Sequence, residues 1–169
     1  ITQGLLQMAS GEGSSSSSSG SSGSGSGRPP RTNQSDWEKS SVESGRFTEA
    51  DLPRLRELAK DADKGGKVTK GSWDEAEVGL GLEKKGQVSG LQRGPRGTEF
   101  IDRARQTWDV KAFRSFNFKL DDAMRSIRSE IASKNNVMLD TRNLTAEQFG
   151  RLDDAIRAAG LDKRVLWWP

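Results

Sequence analysis

In the run Trp108-Asp109-Val110-Lys111-Ala112 an acid and a lysine stand two residues apart, between apolar neighbours. Side chains of an extended strand alternate between its two faces, so Asp109 and Lys111 share one face, about 7 Å apart. That pair has two readings. One is a solvated sheet face carrying an ordinary ion pair. The other is phosphodiester chemistry, in which two carboxylates share a hard cation such as Mg²⁺ that keeps waters and accepts phosphate oxygens. The lysine would then orient a metal-bound water or stabilise charge in the transition state. Further acids are needed for that. Glu99 stands in the preceding alternating run, Thr98-Glu99-Phe100-Ile101-Asp102. If a three-residue turn around Ala104 and Arg105 joins the runs, Glu99 comes opposite Lys111 and shares the face of Asp109. A two-residue turn brings Asp102 towards that face instead. Glu77 follows Trp73 by four residues and precedes Leu80 by three, so it falls on the apolar stripe of a helical stretch, where a carboxylate is unexpected.

The absences narrow the chemistry. The 169 residues contain no cysteine and no histidine. Disulfide frameworks, zinc-thiolate sites, His-ligated metals and Ser-His-Asp hydrolysis are therefore excluded, and catalysis must run on carboxylates, lysine and hydroxyls. No stretch approaches a membrane span, and "ITQGLLQMAS" is not a convincing signal peptide. A start at Ile rather than Met leads us to expect a portion of something longer. The net charge is only +3. Its placement is more telling, because Arg103, Arg105 and Arg114 cluster around the candidate acids and Arg142 follows a later strand. Such a balance suits a polyanionic substrate, although mixed charge is also ordinary on solvated surfaces.

Positioning these residues requires a fold. Residues 1–45 include "GEGSSSSSSGSSGSGSGRPPR" and are expected to be a disordered Gly/Ser-rich linker. Residues 46–169 then form a single α/β domain, with an N-terminal helix over 46–66 and a core over 70–169. A second helix starts at a Ser72–Glu75 capping box and stops at Gly86. "GLQRGPRG" reads as a turn-rich connection. The alternating runs within 98–113 form a β-hairpin. An amphipathic helix places Leu120, Met124, Ile127 and Ile131 inward, a strand covers 136–140, a helix capped by Thr145 runs to Gly160, and "RVLWWP" is a final strand. Strands separated by helices give parallel crossovers. The expected architecture is a small mixed sheet opening with a hairpin and continuing as parallel β-α-β-α-β, with helices on both faces.

An acid-bearing helix, an acid on one strand and Asp-x-Lys on the next resemble the PD-(D/E)xK nucleases, here through "DEAEVGLGLE", "TEF" and "WDVK". Residues 70–169 are also similar to the C-terminal toxin modules of bacterial contact-dependent inhibition and related polymorphic toxins. The resemblance implies a restriction-endonuclease-like fold and a metal-dependent endonuclease. Asp109, Glu99 and Glu77 would be metal ligands, Lys111 the catalytic lysine, and Asp102 the alternative to Glu99, since the family's usual Pro-Asp is missing. It implies Mg²⁺ or another divalent cation, with Mn²⁺ or Zn²⁺ open. The substrate would be a nucleic acid, RNA and specifically tRNA ahead of DNA, with Arg103, Arg105, Arg114 and Arg142 binding it. It further implies secretion or delivery as the C-terminal part of a larger protein, action in the target-cell cytoplasm, and a cognate immunity protein. A non-catalytic nucleic-acid- or protein-binding module remains the alternative.

Overall fold

A computed structural model describes residues 33–169. The expected linker lies outside the described residues as far as 32, but its stated end at 45 is too late. Gln34–Glu43 is a helix, α1. Asn33 accepts from the Asp36 amide at 3.1 Å while the Asp36 carboxylate accepts from the Asn33 amide at 3.0 Å, a reciprocal capping box. Only Trp37 and Ser41 turn towards the core, too sparse a stripe for apolar periodicity to register. The next helix is shorter than expected: Thr48 caps a single 3₁₀ turn, and α2 spans Leu52–Leu58. Helix α3 (Lys70–Lys84) begins earlier than the Ser72–Glu75 box implied, because Thr69 and Ser72 cap it reciprocally.

The sheet holds β1 (Gln92–Arg93), β2 (Phe100–Ile101), β3 (Thr107–Ala112), β4 (Asn136–Asp140) and β5 (Val165–Trp168). Spatial order follows chain order. The first three strands pair antiparallel and the last three parallel. Helix α4 (Leu120–Ala132) links β3 to β4, and α5 (Ala146–Ala158) links β4 to β5. The mixed sheet with its opening hairpin and parallel continuation is thus observed, and β1 is added from the segment read as a connection.

Alternation sends the two sheet faces into separate cores. Phe100, Trp108, Met138 and Trp168 pack with residues of α2 and α3 such as Leu55, Leu58, Trp73 and Leu82. Val137, Leu139 and Val165 pack with Ile127 of α4 and with Leu152 and Ile156 of α5. Helices therefore cover both faces, as a parallel sheet requires. The close approach of α3 to β5 depends on Gly81, where an added Cβ would sit 1.9 Å from Trp168 Nε1.

The hairpin register pairs Phe100 with Trp108 and Ile101 with Thr107. Extending it by one residue sets Glu99 opposite Asp109, two places from the expected Lys111. A slip of two preserves the side-chain face, so Glu99, Asp109 and Lys111 still lie together. The turn does take three residues, 103–105, closed by the Asp102 amide donating to the Gln106 carbonyl at 3.0 Å, but it sits one residue earlier in the chain than expected.

Candidate active site

Asp109 is buried at the middle of the sheet, and Glu99 is partly buried on the neighbouring edge. Burial, reinforced by a hydrogen bond to Asp109 and the charge of that acid, pushes the Glu99 carboxyl up to about 9. At neutral pH Glu99 accordingly holds a proton facing Asp109. Glu99 Oε2 and Asp109 Oδ2 are both buried without a hydrogen-bond partner. Lys111 Nζ lies 2.6 Å from Asp109 Oδ2, an ion pair whose geometry is not that of an aligned hydrogen bond, and 2.9 Å from Glu130 Oε1 of α4. Burial would lower the lysine, but its pairing with the two carboxylates outweighs that and holds it above its ordinary value. Burial would raise Glu130, yet Lys111 and Asn135 pull it below the usual carboxylate range.

A cavity of about 170 Å³ opens over this group, lined in part by Glu75, Arg93, Glu99, Asp109 and Glu130. The helix acid there is Glu75, not Glu77. Two residues apart on a helix is roughly 200° of rotation, so the two carboxylates leave α3 on opposite sides. Glu75 is raised by burial, against the opposing pull of Arg93, whose Nη2 it meets at 2.6 Å. The sequence reading had assigned Glu75 to a cap and missed Glu130 altogether. Glu130 carries a findable signal, since a helix crossing over a strand that bears a buried lysine needs a counter-charge facing it.

Glu77 belongs to a different network. Its carboxylate accepts from Ser41 Oγ at 2.5 Å and pairs with Arg142 Nη1. Arg142 also grips Asp140 through Nε at 3.0 Å and Nη2 at 2.7 Å, and its guanidinium lies 4.6 Å from the Trp168 ring centroid. Burial works against the Arg142 charge, but Asp140 and Glu77 hold it well above its ordinary value. These four residues, Ser41, Glu77, Asp140 and Arg142, tie α1, α3 and the end of β4 together beside a cavity of about 270 Å³. Asp102 is likewise committed: it accepts from the Gln106 amide at 2.9 Å and from Trp108 Nε1 at 3.0 Å. It lies on the Trp108 face, away from Asp109. The four expected substrate-binding arginines also separate, Arg103 and Arg105 in the hairpin turn before β3, Arg114 and Arg142 just past the ends of β3 and β4.

Among the described residues no group of three or more acids is arranged to hold a metal ion. Glu99 and Asp109 alone nonetheless fit Mg²⁺ or Mn²⁺, which bind through one or two carboxylates, waters and substrate phosphate. Such a cation would meet the unpartnered Glu99 Oε2 and share Asp109 with Lys111. Zn²⁺ fits less well, because its sites draw three or four protein ligands, rich in His and Cys.

No protein-family model and no curated protein matches the sequence. Among solved structures, the chain is similar in part to a CdiA-CT toxin from Burkholderia pseudomallei E479 in complex with its cognate CdiI immunity protein. The match is 20% identical, covers 54% of this chain and 96% of that one, and has a TM-score of 0.44. At that level of likeness, function is argued from this chain's own residues. No described helix is long and apolar enough to cross a membrane.

Proposed function

We propose that residues 70–169 form a metal-dependent endonuclease of the restriction-endonuclease-like class, hydrolysing phosphodiester bonds in RNA, with tRNA as the favoured substrate. The observation that supports it most is the facing pair Glu99 and Asp109 over a cavity, with a buried unpartnered oxygen on Glu99 and Lys111 2.6 Å from Asp109. Glu99 and Asp109 would hold the cation, and Glu99 must give up its proton to do so. When bound, the divalent cation supplies an acidified water and offsets charge on the phosphorane. Lys111 contributes charge rather than a base, because its raised pKa keeps it an ammonium at neutral pH. Glu130 and Asp109 fix its position from two sides. Glu75 and Arg93 close the cavity behind the acids. The biological role proposed with this chemistry is that of a toxin module at the C-terminus of a delivered protein, acting in the cytoplasm of a target cell and restrained by a cognate immunity protein.

The test is incubation of the purified chain with tRNA, total RNA and plasmid DNA, with Mg²⁺ and with EDTA. Cleavage in Mg²⁺ that EDTA stops and Asp109→Asn abolishes supports the reading. Preference for plasmid would move the substrate to DNA. One observation favours the non-catalytic alternative: Lys111 is already neutralised by two carboxylates, as a structural lysine would be. Under that alternative no substrate is cut, and Asp109→Asn leaves binding intact.

A further inference from the structure

Nine described residues adopt a positive φ, and seven of them are glycine. The other two are Arg105, at 66°, and Lys134, at 69°. Left-handed backbone crowds any Cβ and selects glycine, or failing that asparagine or aspartate. The chain uses glycine freely for this purpose elsewhere, yet two long cations occupy these positions. Both lie at one edge of the sheet. Arg105 is in the turn before β3 and Lys134 in the turn before β4. The pairing of Trp108 with Asn136 places those turns side by side, and Thr107 Oγ1 joins them through Asn135 Oδ1 at 2.8 Å.

The row continues across the edge. Val137 pairs with Val165, so the turn before β5 brings Lys163 and Arg164 to the same end, while Arg103 extends the row on the hairpin side. Neighbouring strands are about 4.8 Å apart, which spaces the cations along the sheet end. Arg103, Arg105, Lys134 and Lys163 are exposed. Arg164 is steadied by Asn136 Oδ1 and, at 3.1 Å, by the Asn135 carbonyl. Among the described residues none of the five takes part in an ion pair. Of the nearby acids, Asp102 is buried and hydrogen-bonded inward and Glu130 is engaged by Lys111 and Asn135, leaving Asp162 as the exposed one.

We infer that this edge of β3, β4 and β5 binds the phosphate backbone of a nucleic-acid strand, with Arg105 and Lys134 as its central contacts. A row of uncompensated cations is the footprint of a polyanion, and their retention in left-handed backbone gives the charge precedence over local comfort. Thr107 at the edge and Asp109 are two residues apart, about 7 Å along β3. A strand anchored on the edge therefore presents a phosphate to Asp109 within about two nucleotides at a stacked rise of ~3.4 Å. The inference rests on the nuclease reading and deepens it, moving the anchor from Arg114 and Arg142 to Lys134 and Lys163. Arg142 is in any case engaged by Asp140 and Glu77.

The test is binding of fluorescently labelled single-stranded RNA in EDTA, across a salt series, by wild type and the double variant Arg105→Gly/Lys134→Gly. Glycine removes the charges and relieves the backbone together, so melting temperature is maintained or raised and lost binding cannot be blamed on misfolding. Two lost phosphate contacts flatten the slope of log K against log salt by about 1.4 and weaken binding at 0.1 M salt by about 25-fold. Lys85→Ala, beside Trp168 at the opposite end of the sheet, leaves the slope unchanged. An unaltered slope in the double variant, or no RNA binding by the wild type, would each overturn the inference. Cleavage in Mg²⁺ is scored alongside: cutting with no change in slope leaves the nuclease reading standing and sinks this one, and a changed slope without cutting does the reverse.

Discussion

The proton shared by Glu99 and Asp109 makes stability of the metal-free protein depend on pH in an unusual direction. Most acids in a folded chain are held below their ordinary values and stabilise it as pH rises. Glu99 is moved from 4.5 to about 9 by burial, the hydrogen bond to Asp109 and the charge of Asp109. The folded chain then keeps a proton that the unfolded chain has already released, so this group's contribution is greatest near pH 4.5 and falls as pH rises towards 9. One proton corresponds to about 1.4 kcal/mol per pH unit. Solvent reaches part of the carboxyl, which we take to halve that figure, leaving a loss of about 2 kcal/mol between pH 5.5 and 8. Glu99→Gln keeps a donor facing Asp109 and removes the titration. Urea unfolding in EDTA at several pH values is expected to show the variant gaining about 2 kcal/mol on wild type over that interval. Glu75 is also raised, but it is present in both proteins and contributes to both curves. Mg²⁺ at pH 8 should restore the wild type and leave Glu99→Gln unaffected. Wild-type and variant curves that run parallel from pH 5.5 to 8 would refute the facing-acid geometry.

Lys111→Met should lower the cleavage rate about 10²- to 10³-fold, the range for loss of one preorganised transition-state contact, with Mg²⁺-dependent stabilisation preserved; Glu130→Gln should cost less and leave a lysine that titrates lower. Arg142→Met strands Glu77 and Asp140 as buried acids and should destabilise the fold by about 3–5 kcal/mol in urea unfolding, whereas an active-site role for Glu77 alone would leave stability near wild type. Gly81→Ala forces its Cβ into Trp168 and should cost roughly 3 kcal/mol or more. Gly150→Ala, where an added Cβ meets nothing within 4 Å, should instead stabilise α5 by up to about 1 kcal/mol in thermal melts.

How much of this was legible in the sequence depended on whether period or partner decided the outcome. Strand β4 and the Thr145–Gln148 cap of α5 were readable because each is a local pattern with one strong solution. The grouping of Glu99, Asp109 and Lys111 survived an error in the assumed turn, because parity rather than the exact register assigns a strand residue to its face. Glu77 shows the opposite situation. Its place on the apolar stripe of α3 was legible and it is buried, but the stripe could not say which buried partner it meets. That partner, Arg142, lies 65 residues away in sequence, and Ser41 belongs to a helix whose inward face is too sparse to show as a period. Burial of a carboxylate is therefore a statement about need, namely that some cation or donor must reach it. Whether the need is met by the protein or by a bound metal separates the two acids of α3 from the pair on the sheet. Glu77 has Arg142 and Ser41, and Glu75 has Arg93. Among the described residues Asp109 has Lys111 and Glu99 has no cation paired with it, and on that ground we propose the sheet, not the helix, as the place of the chemistry.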